Sequence, residues 1–165
     1  MFSKFVLATT LALFTLGAQA AVIKIPEGKA AVSINVPDKW EPETYDRGVL
    51  INSPDGTVTV SLDFAKSDKD IDSIVDEAIE WLVKEQGVKV NGKSGKDIKG
   101  TVGGIASEGL VFDATHKEYG PARVGFLFTP IASGLLITTY WVDKKGADKS
   151  VAEVNRILGT VRALR

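Results

Sequence analysis

The stretch DKDIDSIVDEAIEWLVKEQ, Asp68 to Gln86, is the longest run of helical periodicity in a chain otherwise dominated by two-residue alternation. Ile71, Ile74, Val75, Ala78, Ile79 and Leu82 recur at steps of three and four, which places them on one face of a helix. Asp70, Asp72, Asp76 and Glu77 gather towards the start, where the positive end of the helix dipole favours them. Gly87 supplies the left-handed residue that stops a helix. Strand-like segments flank the stretch on both sides, so its apolar face is expected to pack on a sheet.

Before the helix, Ala21 to Ile25 reads as a short strand ended by Pro26-Glu27-Gly28. Ala31 to Val36 alternates, with Val32, Ile34 and Val36 on one side, and Pro37 ends it. Trp40, just beyond, is expected to close the open end of a core. Val49 to Asn52 and Thr57 to Phe64 form a hairpin around Ser53-Pro54-Asp55-Gly56, in which proline presets the second position and glycine takes the positive φ. Val58, Val60, Leu62 and Phe64 point to a core, and Thr57, Thr59, Ser61 and Asp63 point outward or into a second, polar layer.

After the helix, Val88 to Lys99 is polar and Gly-rich, an exposed hairpin or irregular edge. Ile105 to Thr115 and Ala122 to Ile131 read as strands joined by a turn at His116 to Pro121. Leu135 to Val142 is apolar or β-branched at nearly every place, the pattern of a central strand covered on both faces. Ser150-Val151-Ala152-Glu153 has the form of a capping box opening a last helix, which Gly159 ends; Thr160 to Arg165 is expected to trail off the domain.

The succession Ile34-Asn35-Val36-Pro37-Asp38-Lys39-Trp40, then Gly48 to Gly56 and Thr57-Val58-Thr59-Val60, resembles the opening of PsbP/Mog1-like domains. Secreted bacterial members include DcrB-like proteins. The likeness continues through the acid-started helix, the Gly103-Gly104 turn, three long strands and a closing helix. It implies an α+β fold, an α/β/α sandwich around a mainly antiparallel sheet. It also implies an accessory or binding role, because the characterised relatives are mostly of that kind. No functional residue of the family carries over to a position here.

Residues 1–20 read as a secretory signal peptide. Lys4 gives the positive start, Phe5 to Leu16 the apolar run, and Ala18-Gln19-Ala20 the small-residue pattern for cleavage before Ala21. The run is shorter than the roughly 20 apolar residues that span a bilayer. No cysteine follows for a lipid anchor, so no stable membrane anchor is expected and the location indicated is the periplasm. Cleavage of 20 from 165 residues leaves 145, residues 21–165, one ordinary domain. With 20 basic and 21 acidic residues interspersed, no electrostatic footprint for nucleic acid exists.

Chemistry is sparse. Gly87 to Ser94 fits the phosphate-loop pattern, but a helix enters where a strand should. Asp68, Asp70 and Asp72 imitate the start of a calcium loop, yet Ser73 and Ile79 stand where its glycine and closing acid belong. Zero cysteines and one histidine, His116, leave no zinc ligand set, and no cofactor is expected. His116 reads as a solvated turn residue; with Asp113 and Ser107 it is the only basis for an acyl-transfer triad, and no Gly-x-Ser-x-Gly elbow accompanies it.

The candidate partner contacts are Tyr45 and Arg47, in the loop before the hairpin, and Tyr119 and Arg123, flanking Gly120-Pro121. Tyr and Arg anchor interfaces, and loops carry function. The function expected is an exported, non-enzymatic binding or accessory protein that docks a protein partner or carries a small ligand. The alternatives are a hydrolase using carboxylates or the Asp113/His116 neighbourhood, and a self-associating structural or envelope-stress protein.

Overall fold

The computed structural model describes residues 20–145 and 148–164. Residues 1–19 of the expected leader, Ala18 among them, lie outside the described residues, while Ala20 and Ala21 open the first strand. In chain order the elements are β1 (Ala20–Ile25), β2 (Val32–Pro37), β3 (Glu43–Tyr45), β4 (Gly48–Asn52), β5 (Val58–Ala65) and α1 (Asp68–Lys84). There follow β6 (Val88–Val90), β7 (Lys96–Val102), β8 (Ile105–His116), β9 (Gly120–Ile131), β10 (Gly134–Asp143), α2 (Asp148–Leu158) and β11 (Arg162–Ala163).

The main sheet has the order β3-β4-β5-β10-β9-β8-β6, with β7 also paired to β8, and all its pairings are antiparallel. Strand β10 is central, between β5 and β9. Its residues Leu136, Ile137, Thr138 and Thr139 are fully buried, as two-sided coverage requires. The alternation of side chains along each strand then divides the core in two. Val58, Val60, Leu62 and Leu136 join Val154, Ile157 and Leu158 of α2 on one face. Ala114, Ala122, Val124, Phe126 and Trp141 meet Ala78 and Leu82 of α1 on the other. The result is the α/β/α sandwich, with a small sheet, β1-β2-β11, sharing the α2 layer.

Helix α1 rests on Ile74, Ala78 and Leu82. The side chain of Asp70 accepts the backbone N–H groups of Lys66 (3.0 Å) and Ser67 (2.9 Å) and so closes its N-terminus. Gly87, at φ +65°, turns the chain into β6. One member of the expected buried face is on the outside: Ile79 is 44% exposed. Each residue turns the helix by about 100°, so Ile79 stands well round from Ala78, past the arc that the sheet covers.

Two further expectations are corrected. The C-terminal segment does not trail away. Arg162 and Ala163 pair with Ser33 and Val32, Val161 is fully buried, and the Thr160 hydroxyl accepts the Asn35 N–H at 2.9 Å. Unpaired backbone on β2 offered a ladder, and the last residues complete it. Nor does Ser150 cap a helix. Helix α2 starts at Asp148, and the Ser150 hydroxyl donates to Asp55 at 2.7 Å.

Asp55 therefore does more than form a turn. Its carboxylate also accepts the hydroxyls of Ser53 and Thr57, each at 2.7 Å, and the Thr57 N–H at 3.1 Å. Desolvation pushes this carboxyl up, but the hydrogen bonds from Ser53, Thr57 and Ser150 overcome it and hold the group well below the usual carboxylate range. A depressed native pKa means stabilisation that is present above the unfolded value of about 3.9 and lost as pH falls through the native one. Asp55→Ala is expected to cost about 1–2 kcal/mol in denaturant unfolding at neutral pH. The gap between the variant and the parent should close on acidification below about pH 4.

Candidate functional site

At the β3 edge of the main sheet, α1 stands off from β4 and β5 and leaves an open cleft of about 370 Å³. Leu50, Ile74, Ala78 and Trp81 form its apolar wall; Tyr45, Arg47, Asp63 and Glu77 form its polar one. Asp63, on β5, is the centre of the polar side and only 4% exposed. It occupies the inner position that alternation assigns to the α1 face, so an ionised group sits there only with partners.

The partners are the two residues singled out upstream. The Tyr45 hydroxyl donates to Asp63 Oδ1 at 2.9 Å, and Arg47 Nε donates to the same oxygen at 3.0 Å. Arg47 also reaches Glu77 Oε2 on α1 at 2.6 Å. Neither residue is a free loop group. Tyr45 ends strand β3, held against Gly48 of β4; the residue is 37% exposed, with its hydroxyl turned to Asp63. Burial, then the Asp63 charge, pushes the Tyr45 hydroxyl far up, so it remains a donor. Glu77 is held below its ordinary range, first by the Arg47 hydrogen bond and then by that from Ser73.

The other pair is not brought to this cleft, nor to a shared one. Tyr119, 38% exposed, lies on a stack of rings at the end of the sheet: 4.7 Å from His116 and 5.9 Å from Trp141. Arg123 points to the α2 face of β9 and borders a separate cavity.

His116 itself is corrected. It is the last residue of β8, 5% exposed, and stacks on Trp141 at 4.6 Å. Its Nδ1 accepts the backbone N–H groups of Glu118 (3.0 Å) and Tyr119 (3.1 Å). The ring thus closes the 116–120 turn from inside, which a polar turn sequence does not announce. Asp113 is on the opposite face of β8, bound to Lys144 at 2.5 Å, and the Ser107 hydroxyl contacts Thr129 Oγ1. The three are not assembled as a triad.

The other motifs resolve into structure. Asn91 caps a short 3-10 turn, Gly92–Ser94, followed by β7, so no helix leaves the Gly87–Ser94 segment. Asp68, Asp70 and Asp72 belong to the first turns of α1. Among the described residues no group of acids and histidine is placed to hold a metal ion, and no helix is long and apolar enough to cross a membrane.

No protein-family model matches the sequence, and no curated protein matches it. In structure it is similar to a protein from Bacteroides thetaiotaomicron, at 19% identity and TM-score 0.56, over 90% of this chain and 50% of that one. The chain thus spans half the length of that protein. It is also similar to cyanobacterial PsbP (CyanoP) from Synechocystis, at 12% identity and TM-score 0.50, over 91% of this chain and 96% of that one. The fold is PsbP/Mog1-like, as the sequence resemblance implied.

The Asp63 cluster makes a prediction about stability. Removing Arg47 leaves a buried carboxylate with one neutral donor, whereas removing Glu77 leaves Arg47 still paired with Asp63. Arg47→Ala is expected to lose about 2–3 kcal/mol and Glu77→Ala less than about 1 kcal/mol. The double variant Arg47→Ala/Asp63→Asn should recover part of the first loss in urea unfolding.

Proposed function

We propose that the protein is exported, cleaved before Ala21, and acts in the periplasm as a non-enzymatic accessory protein. Its docking surface is the α1 cleft. The observation that carries this reading is the state of the cleft's polar wall. Tyr45, Arg47 and Glu77 are fixed by one another and by Asp63, so the surface is rigid before anything binds. Beside them Leu50, Ile74 and Trp81 offer apolar area. A preorganised polar rim next to an aromatic anchor is the composition of a protein-binding hot spot.

Nothing in that wall is poised for turnover. The Tyr45 hydroxyl is kept protonated by burial and by Asp63, and the carboxylates are engaged with Arg47. His116, the only histidine, spends its free ring nitrogen on two backbone amides. This use of the ring counts against the reading based on Asp113 and His116.

The test is native mass spectrometry on protein released gently from the periplasm of its own source, with N-terminal sequencing of the same sample. Expected are a chain that begins at Ala21 and a stoichiometric protein partner that is lost on Trp81→Ala while the domain stays folded. A chain that retains residues 1–20 contradicts the export. A bare monomer, or a partner indifferent to Trp81→Ala, contradicts the docking surface.

A further inference from the structure

The opposite side of the main sheet carries a second cavity, of about 400 Å³, between α2 and strands β9 and β10. That size lies within the range of pockets that take small ligands, about 300–1,000 Å³. Val60 and Leu127 on the sheet and Val151 and Leu158 on α2 form its apolar wall, and Lys144 and Asn155 are among its polar groups. Two donors, Arg123 and Tyr140, stand on the sheet side of it.

Both donors are uncommitted. Arg123 faces Asp113 across the β8–β9 pair, but that carboxylate is taken by Lys144 at 2.5 Å. Among the described residues no carboxylate lies within ion-pair distance of the Arg123 guanidinium. The two other acids at the rim have their own roles. Asp143 accepts the Lys145 N–H at 3.1 Å, and Asp148 stands in the first turn of α2, where the helix dipole holds a negative charge. The Tyr140 hydroxyl makes no hydrogen bond to a described residue. Burial pushes it up and the nearby Arg123 charge pulls it back, with no hydrogen-bond partner contributing.

The backbone is shaped to keep Tyr140 where it is. Gly125 is its register partner on β9, and a Cβ there would lie 2.1 Å from the ring Cζ and 2.2 Å from the hydroxyl oxygen. Only glycine lets the ring lie flat across β9 on the face that also carries Arg123 and Leu127. A guanidinium presents a planar fork that matches a carboxylate, and a phenol beside it supplies one more donor. With apolar walls leading away from this pair, the recognised molecule has an acidic head and a hydrocarbon body.

We propose that this cavity binds an aliphatic monocarboxylate, with the carboxylate on Arg123 and the Tyr140 hydroxyl and the chain between β9 and α2. The site is separate from the α1 cleft and stands or falls independently of it.

The experiment is titration calorimetry of the folded protein with dodecanoate below its micelle concentration, with dodecylamine as the probe of equal tail and opposite charge. Expected is saturable one-to-one binding of dodecanoate, weakened at least about tenfold by Arg123→Gln, since hydrogen bonds to charged groups carry that much. Dodecylamine should bind at least as much more weakly. Arg123 is exposed, so Arg123→Gln should fold; circular dichroism confirms it. Leu127→Trp, which fills the cavity, is expected to abolish binding, and Trp81→Ala in the other cleft to leave it unchanged. Absence of saturable binding, equal affinity for the amine, or a folded Arg123→Gln variant that binds as the parent does would each overturn the proposal.

Discussion

Two-sided burial of β10 is the constraint on which the rest of this structure depends. A strand between two others, with a helix over each face, keeps the side chains of its middle from water. Leu136 to Thr139 accordingly lie at zero exposure. Even the hydroxyls of Thr138 and Thr139 are enclosed there without a hydrogen-bond partner among the described residues. An unsatisfied buried hydroxyl costs about 1–3 kcal/mol, so the β-branched shape of threonine in the centre of the sheet is retained against that cost. With β10 fixed, β5 and β9 are fixed beside it, and the parity of every neighbouring strand follows.

That parity makes two chemically different faces. On the α1 side, Thr59, Ser61 and Asp63 of β5 form a polar layer that ends in the Asp63–Tyr45–Arg47 cluster. On the α2 side, Val58, Val60 and Leu62 of the same strand are wholly apolar, and the charged groups at the cavity stand around them, on β9, at the end of β10 and on α2. One cleft is therefore rigid, with Asp63 and Glu77 both held by Arg47, suited to a partner that brings its own surface. The other is an apolar slot with two open donors, suited to a small amphiphile. A single alternating strand sets both characters.

Much of this was legible in the sequence because it is local. The Ser53–Gly56 turn, the α1 periodicity and the unbroken apolar run of β10 each declare themselves within a dozen residues. What was not legible depends on contacts between distant positions. Asp63 reads from the sequence as outward or in a second, polar layer, and only Tyr45 and Arg47, folded over it, decide between the two. Ser150 matched a cap, and Asp55, 95 residues away, claimed its hydroxyl. Residues 160–164 are too short a run to declare a strand by themselves, and only the free edge of β2 makes one of them. His116 sits in a polar sequence, so its burial against Trp141 had no signal of its own. Gly125 gave a faint one: an isolated glycine inside a strand pattern marks a close approach, here that of Tyr140.

The most direct test of the account is native-state hydrogen exchange across β10, followed as a function of low denaturant. If β10 is the element that the two layers share, the amides of Leu136 to Tyr140 exchange only through global unfolding. Their exchange free energy should equal that of the whole domain and fall with denaturant at the full unfolding slope. The β6 and β7 edge should open earlier, at a smaller slope. Early, denaturant-independent exchange in β10, with protection concentrated instead in β7 and β8, would contradict the claim that the fold and both of its clefts are built on that strand.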